Sequence, residues 1–366
     1  MAPRSVCRKC VLPSTTPGIE FDQSGVCNYC NSYLPMQVEG EERLRKVIDA
    51  FRDPSAKYDC MVCVSGGRDS TYTLWRLAND YKMKVLAAHY LLPFTSEQAR
   101  ANIQSAVDVL GIDCVNFEYP NDVHRRATRK ALKAWSHRPS SRMIPIVCAH
   151  CKTWWPMAFQ IARENNVSLI VIGSNPLETA TFKRTGLGGA RTYHKLANLP
   201  RIVGISLKEA FLNPRYLVSC SWSTVAKMYL MASHSSPYLR WRYKDLTVLR
   251  LFDYLKWDEK EVMSTIKDKL GWRNSSEVAS PWRFDCRLDY VRRLMYTETI
   301  GVSELRDLFS KMIREGQMTR EQALERLKTE EIVRREVVED VLSHLGLGLS
   351  DLHLGSVKEQ IPSSVV

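Results

Sequence analysis

Apolar and polar residues alternate along the middle of the chain with two different periods. Short and nearly continuous apolar runs, typical of buried strands, lie at residues 60–64, 84–89, 114–118 and 168–173. Between them, apolar side chains recur at helical spacing in residues 71–79, 96–110 and 153–165. Strands that alternate with helices and are apolar on both faces predict a doubly wound parallel sheet of the α/β class.

The pattern changes towards both ends of the chain. The first stretch is rich in turns and cysteines, and from about residue 240 helical spacing dominates, with a capping-box sequence at Thr319 and Gln322. We therefore predict four parts: a zinc-ribbon-like module at 1–40, an ATP-binding α/β domain at 41–240, a helical substrate- or partner-binding region at 241–355 and a flexible tail at 356–366.

Composition and charge narrow the class of protein. Among 366 residues, 45% are hydrophobic and 25% charged, as in ordinary globular proteins. No apolar run reaches the roughly 18 residues of a membrane span, and the N-terminus lacks the apolar core of a signal peptide, so a cytoplasmic location is expected. The net charge of +12 predicts an anionic partner such as a nucleotide or nucleic acid, or else solvated helix faces.

The stretch DCMVCVSGGRDST at residues 59–71 predicts a phosphate-binding loop. Two glycines between a buried strand and a helix let backbone N–H groups approach an anion, and the helix N-terminus favours negative charge. Hydroxyl and guanidinium donors surround them, at Ser65, Arg68, Ser70 and Thr71. The spacing is neither that of a Walker A loop nor G-x-G-x-x-G.

Two cysteine pairs near the N-terminus predict a metal site. Cys7, Cys10, Cys27 and Cys30 form two C-x2-C pairs. Four thiolates at this spacing suit a tetrahedral Zn²⁺, which so small a module needs in order to fold. A closed site of this kind is structural rather than catalytic.

A third pair, Cys148 and Cys151, supplies only two ligands and needs completion. Cys286, which lies between an aspartate and arginines, is the preferred third ligand over Cys220. Three thiolates would suit a [4Fe–4S] cluster with one open iron. A second zinc, a redox-active thiol pair and inert packing cysteines remain as alternatives.

The sequence SGGRDS resembles the loop of the PP-loop ATP pyrophosphatases, where a related motif cradles ATP that is cleaved between the α and β phosphates. This resemblance implies catalytic roles for Asp69, which would organise Mg²⁺ or the loop, and for Arg68, which stands where the family often has lysine. It also implies an ATP-binding set made of Val64, Ser65, Gly66, Gly67, Asp69, Ser70, Thr71, His89, Gly173 and Asn175.

Across residues 5–330 the chain resembles the N-acetyl sugar amidotransferases of surface-polysaccharide biosynthesis. The resemblance rests on the order of several segments: CRKCVLPSTTPGIEFDQSGVCNYC, VSGGRDST, CAHC, VIGSNPLE and SPWRFDCRLDYVRRLMYTETIG. It implies AMP-forming conversion of an acetamido group to an acetamidino group. Nothing in the chain is typical of a glutaminase, so ammonia would come from separate glutaminase and ammonia-channelling subunits.

The same comparison leaves some roles and functions open. Lys183, beside the glycine-rich loop at 185–191, is expected to attract substrate phosphate or carboxylate, unless that loop is only a surface feature. The alternative enzyme is a PP-loop sulfur transferase that acts on tRNA or a small molecule. A non-catalytic, zinc-dependent binding module is the third reading, and the complete loop motif argues against it.

Overall fold

The computed structural model describes residues 5–119, 122–148, 151, 153–182, 199–219, 231 and 233–352. Within them, five parallel strands form one sheet in the order β3-β2-β1-β4-β5. The strands are β1 (Cys60–Val64), β2 (Val85–Tyr90), β3 (Asp113–Phe117), β4 (Leu169–Ile172) and β5 (Thr247–Arg250). The predicted parallel α/β sheet is confirmed, and four of its strands lie within a residue or two of their predicted positions.

Helices cover both faces of the sheet because the strands are apolar on both faces. Cys60 and Val62 pack into one core, which contains α3 (Arg68–Trp75) and its π-helical continuation Arg76–Asp80. Met61 points the other way, against α7 (Trp155–Glu164). Alternate side chains of one strand therefore reach opposite cores.

The remaining helices complete the two layers and the C-terminal region. In chain order these are α1 (Asn28–Asn31), α2 (Glu41–Asp49), α4 (Glu97–Leu110), α5 (Val123–His137), α6 (Ile144–Val147), α8 (Leu199–Leu212), α9 (Arg215–Ser219), α10 (Pro237–Arg242), α11 (Leu251–Tyr254), α12 (Glu259–Leu270), α13 (Leu288–Ile300), α14 (Glu304–Arg314), α15 (Arg320–Glu330) and α16 (Arg335–His344). Short 3₁₀ turns lie at Pro176–Glu178 and Leu349–Leu352.

The C-terminal third is helical, as predicted. Thr319 and Gln322 form the expected capping box at the start of α15, each side chain accepting from the other's backbone N–H. No helix in the described parts of the chain is long and apolar enough to span a membrane.

The fifth strand, β5, has no counterpart among the predicted strands. It pairs with β4 from Thr247 to Arg250, after residue 240, where the sequence analysis places the end of the α/β domain. Its exposed and half-buried positions at the sheet edge give it a weak apolar signal. The division into domains stays a prediction, and the expected tail at 356–366 lies outside the described residues.

Candidate active site and thiol centres

The loop that follows β1 lies where the order of the sheet reverses. From β1 the chain continues to β2 and β3 on one side, and later to β4 and β5 on the other. Parallel sheets bind ligands outside the carboxyl ends of strands at such a point. The predicted phosphate loop therefore occupies the position where this fold gathers its ligands.

Gly66 has a conformation and a neighbourhood that exclude other residues. Its φ is +77°, and a Cβ atom built there would lie 2.1 Å from the backbone oxygen of Ala99. Its carbonyl accepts hydrogen bonds from Trp272 Nε1 at 3.0 Å and from Asn102 Nδ2 at 3.4 Å. Asn102 of α4 and Trp272, just after α12, therefore hold the turn in place.

Hydroxyl groups line the inside of the turn. Ser65 Oγ and Ser70 Oγ lie 3.2 Å apart, and Ser70 Oγ accepts a hydrogen bond from Ser65 N at 3.1 Å. Thr71 Oγ1 donates to the Gly67 carbonyl at 2.9 Å, which fixes the first turn of α3. Ser65 is exposed, whereas Thr71 is buried. The exposed hydroxyl and the glycine backbone form a polar cradle that fits a phosphate.

Arg68 does not face this cradle. It is 3% exposed, and Nη1 lies 2.6 Å from Glu259 Oε1, at the start of α12. Its guanidinium lies over the Trp257 ring, 4.9 Å from the centroid. The sequence predicts that the guanidinium of Arg68 lies beside the bound anion. No contact of this side chain supports that prediction, because the guanidinium forms an internal ion pair with Glu259.

Asp69 is buried beside Arg68. Its Oδ1 accepts a hydrogen bond from Trp257 Nε1 at 2.8 Å and lies 3.6 Å from Arg68 Nε. Burial raises the pKa of Asp69 well above the usual range, against the lowering effect of Arg68. This geometry fits a residue that organises the loop, and a role in Mg²⁺ binding stays a prediction.

The other predicted ATP-binding residues lie at the same edge of the sheet. Val64 and His89 are register partners near the ends of β1 and β2. His89 Nδ1 lies 3.2 Å from Asn116 Oδ1, and burial lowers the pKa of the imidazole.

Gly173 and Asn175 shape the turn after β4. A Cβ atom at Gly173 would lie 2.5 Å from the Asp69 backbone oxygen, so this glycine permits close packing against α3. Asn175 Oδ1 caps the 3₁₀ turn by accepting from Leu177 N at 2.9 Å, while its buried Nδ2 has no hydrogen-bond partner among the described residues. Gly173 adjoins the loop, and direct contact of either residue with ATP stays a prediction.

Asp285 is a residue at this site that sequence reasoning missed. It shares a hydrogen bond with the Ser65 side chain, and a Cβ atom built on Gly67 would lie 3.3 Å from its Oδ2. Burial raises the pKa of Asp285 to about 6. The available signal was its place directly before Cys286, a residue that the sequence analysis had selected.

The four N-terminal cysteines come together as predicted. Among the described residues, Cys7, Cys10, Cys27 and Cys30 are the set whose ligand atoms all lie within 4.8 Å of one another, and all four are buried. The Sγ atoms of Cys10 and Cys27 lie 3.8 Å apart. Two thiolates on one tetrahedral zinc ion stand about 3.8 Å apart, given Zn–S bonds of about 2.3 Å. The group therefore fits a single metal ion.

An arginine contacts two of the four cysteines. Hydrogen bonds with Cys27 and then Cys30 lower the pKa of Cys10, whereas the hydrogen bond with Cys10 raises the pKa of Cys27. Arg314, at the end of α14, donates from Nε to Cys30 Sγ at 3.3 Å and from Nη2 to Cys10 Sγ at 3.7 Å. The N-terminal module thus docks on the C-terminal helices through a charged contact to its thiols.

The second cysteine set also assembles, in a looser arrangement. Cys151 shares a hydrogen bond with Cys148 and interacts electrostatically with Cys286. Burial raises the pKa of Cys286, with the neighbouring Cys148 as the next cause. These thiols do not all lie within 4.8 Å of one another. The three thiols therefore do not form, as they stand, the compact group that one tetrahedral ion needs.

The two candidate sites are joined through adjacent residues. Asp285 reaches the phosphate loop, while Cys286 pairs with Thr95 in an isolated antiparallel bridge. Ser96 N donates to the Asp285 carbonyl at 3.1 Å, which holds the segment against the start of α4. The thiol set therefore lies beside the phosphate loop.

Several predicted positions lie outside the described residues. These are Lys183, the alternative ligand Cys220 and the glycine-rich loop at 185–191. Among the other described cysteines, Cys60 is buried, and Cys63 and Cys114 are half-buried.

Comparisons with known proteins place the C-terminal helices. Residues 287–355 match the family described as the LPS biosynthesis protein WbpG-like, C-terminal domain. The search of curated proteins gave no match. The U34-tRNA thiolase NcsA from Methanococcus maripaludis, solved with its [4Fe-4S] cluster, matches 88% of this chain over 89% of its own, at 13% identity and a TM-score of 0.32. That structural likeness is too low to inform function. The comparisons therefore establish one similarity, that of the C-terminal segment to LPS biosynthesis proteins.

Proposed function

We propose that the protein is an ATP-dependent, AMP-forming amidotransferase that converts the acetamido group of an N-acetyl sugar to an acetamidino group. The observation that carries this proposal is the complete S-G-G-x-D-S loop. It forms a polar cradle at the point where the strand order of the sheet reverses. The match of residues 287–355 to LPS biosynthesis proteins supports a nucleotide- or lipid-linked sugar as substrate.

The reaction divides into two displacements. The acetamido oxygen attacks the α-phosphorus of ATP, and pyrophosphate leaves. Ammonia then adds to the activated carbon, and AMP departs with the oxygen, which leaves a protonated acetamidino group. Activation in this way makes AMP the leaving group in place of hydroxide, and binding of both reactants in one cleft removes much of the entropic barrier.

The phosphate loop supplies binding and orientation for the first displacement. Backbone N–H groups around Gly66 and Gly67, with the hydroxyls of Ser65 and Ser70, hold the departing pyrophosphate. Mg²⁺, when bound, neutralises phosphate charge. Arg68 and Asp69 act indirectly in this proposal, because their ion pair and the Trp257 contact fix the start of α3.

We propose Zn²⁺ for the four N-terminal cysteines and an iron–sulfur cluster for Cys148, Cys151 and Cys286. The compact spacing of the first set supports zinc, and the gathering of three further thiols beside the phosphate loop supports a second metal group. In this assignment zinc stabilises the N-terminal module, which packs on α14 where Arg314 contacts Cys30 and Cys10.

A test of the nucleotide site compares Gly67→Ala with Gly204→Ala. The first adds a methyl group 3.3 Å from Asp285 and Ser65 inside the cradle, while the second adds one in open space on α8. We expect Gly67→Ala to lose AMP and pyrophosphate formation and Gly204→Ala to keep it. The assay follows AMP release with an N-acetyl sugar nucleotide and ammonium. Equal turnover in both variants would remove the nucleotide-site assignment.

The position of Cys286 beside the phosphate loop favours a second candidate, a sulfur transferase that acts on tRNA or a small molecule. The same assay separates the two reactions, since sulfide in place of ammonium would stimulate AMP release only in a sulfur transferase. Ammonia would come from separate glutaminase and ammonia-channelling subunits under the first candidate. Nucleic acid would be a partner only under the second.

Metal analysis tests the cysteine assignments. Anaerobically purified protein should contain zinc, iron and sulfide. Cys148→Ser, Cys151→Ser or Cys286→Ser should each remove the iron and keep the zinc. Cys114→Ser is the matched control, because Cys114 is half-buried on β3 and belongs to neither set, and it should keep both iron and zinc. Iron-free protein with full activity would refute the cluster.

A further inference from the structure

A buried histidine faces the second cysteine set. His124, near the start of α5, is 2% exposed, and its Nε2 lies 3.1 Å from Cys151 Sγ. Cys151 also shares a hydrogen bond with Cys148. Neither the phosphate loop nor the proposed ligand set accounts for an imidazole at this position.

Aromatic neighbours hold the imidazole of His124 in place. The Tyr90 ring stacks on it, with an interplanar angle of 13°, and the Phe94 ring packs edge-on. Tyr90 Oη lies 3.5 Å from Nδ1, and burial raises the pKa of this phenol, so the hydroxyl stays protonated. A hydroxyl that donates to Nδ1 selects the tautomer that carries its hydrogen on Nε2, towards Cys151.

The N–S distance indicates a hydrogen bond rather than shared metal ligation. Nitrogen and sulfur ligands on one tetrahedral zinc ion stand about 3.5 Å apart, from bond lengths of about 2.0 and 2.3 Å. The 3.1 Å between His124 and Cys151 is shorter than that. A hydrogen bond between the imidazole and the sulfur atom is therefore the better description.

The thiols of this chain meet N–H donors at both centres. Arg314 donates to Cys30 and Cys10 in the compact four-cysteine group. At the second set, Arg292 Nη1 lies 4.0 Å from Cys148 Sγ, and His124 reaches Cys151. Donors of this kind stabilise metal-bound thiolates and tune the metal.

We propose that His124 is a positioning residue that donates an Nε2–H hydrogen bond to the Cys151 thiolate of a metal group held by Cys148, Cys151 and Cys286. The proposal rests on the metal group assigned to these cysteines under the proposed function. Hydrogen bonds to ligating sulfur favour the reduced, more negative state of a cluster. His124 thereby raises the reduction potential of the cluster and is not itself a ligand.

Two variants separate this role from ligation and from packing. His124→Phe keeps an aromatic ring between Tyr90 and Phe94 but has no donor, whereas His124→Gln keeps an N–H donor. In anaerobic, iron-loaded protein, both variants should retain iron and sulfide. An EPR-monitored redox titration should show a lower midpoint potential in His124→Phe and a potential closer to wild type in His124→Gln.

The refuting results are distinct from failure of the enzymatic proposal. An unchanged potential in His124→Phe, or loss of iron in both variants, overturns the donor role. A ¹⁵N-detected spectrum of the wild-type imidazoles, assigned with His124→Phe, decides the tautomer whether or not iron is bound. The Nε2–H form supports the proposal, and an Nδ1–H form overturns it. AMP formation is measured separately and tests only the nucleotide chemistry.

Discussion

Arg68→Met tests whether the guanidinium of the phosphate-loop motif is structural. Its side chain is 3% exposed and lies 2.6 Å from Glu259 and 3.6 Å from Asp69. Loss of one member of a buried ion pair costs about 3–5 kcal/mol in the free energy of unfolding, because the partner charge stays buried without compensation. A phosphate-binding side chain in open solvent would carry no such penalty.

The structure places the expected cost near the low end of that range. Glu259 keeps a second partner, Arg326, whose Nη1 lies 2.5 Å away. Asp69 can take up a proton once Arg68 is lost, because burial already raises its pKa. We therefore expect Arg68→Met to reduce the free energy of unfolding by about 3 kcal/mol.

Urea unfolding followed by circular dichroism measures this cost. Arg163→Met is the matched control, since its pair with Asp245 is partly exposed and should contribute little to stability. Arg68→Met combined with Glu259→Gln should cost less than the two single changes added together, by about 1–3 kcal/mol. Equal stability of Arg68→Met and Arg163→Met, or strict additivity with Glu259→Gln, would refute the structural role.

Three further outcomes follow from other contacts. Gly66→Ala should yield little folded protein, because the φ of this residue is +77° and the new methyl group would lie 2.1 Å from the Ala99 oxygen. Soluble yield and the thermal midpoint measure this, and a wild-type midpoint would contradict it. Cys7→Ser should lose zinc and solubility while the half-buried Cys114→Ser keeps both, and zinc-free but stable Cys7→Ser protein would disprove a structural metal. The pKa of Asp285 is raised to about 6 in the folded chain, so its contribution to stability is fully present below pH 4 and is lost as pH rises through 6. Asp285→Asn should therefore flatten the fall in stability between pH 4 and 7. An unchanged pH dependence of unfolding would refute this.

The strands and the phosphate loop could be predicted because their signals are local. β1 is apolar on both faces, and the glycine pair follows it after Ser65, so strand, turn and helix are encoded within residues 59–71. The four-cysteine group was likewise readable from two C-x2-C pairs, since ligand type and spacing decide such a site. β5 was missed because an exposed edge strand needs few apolar residues.

Tertiary structure alone decided which way the side chains of these motifs point and what surrounds them. Arg68 follows two glycines that make an anion site, yet its guanidinium turns to Glu259, a partner 191 residues later in the chain. Asp285 and His124 reach the loop and the thiols from distant segments, with no spacing rule to announce them. Local sequence fixes backbone conformation and ligand type, whereas burial and long-range contacts set the charge and hydrogen bonding of each site.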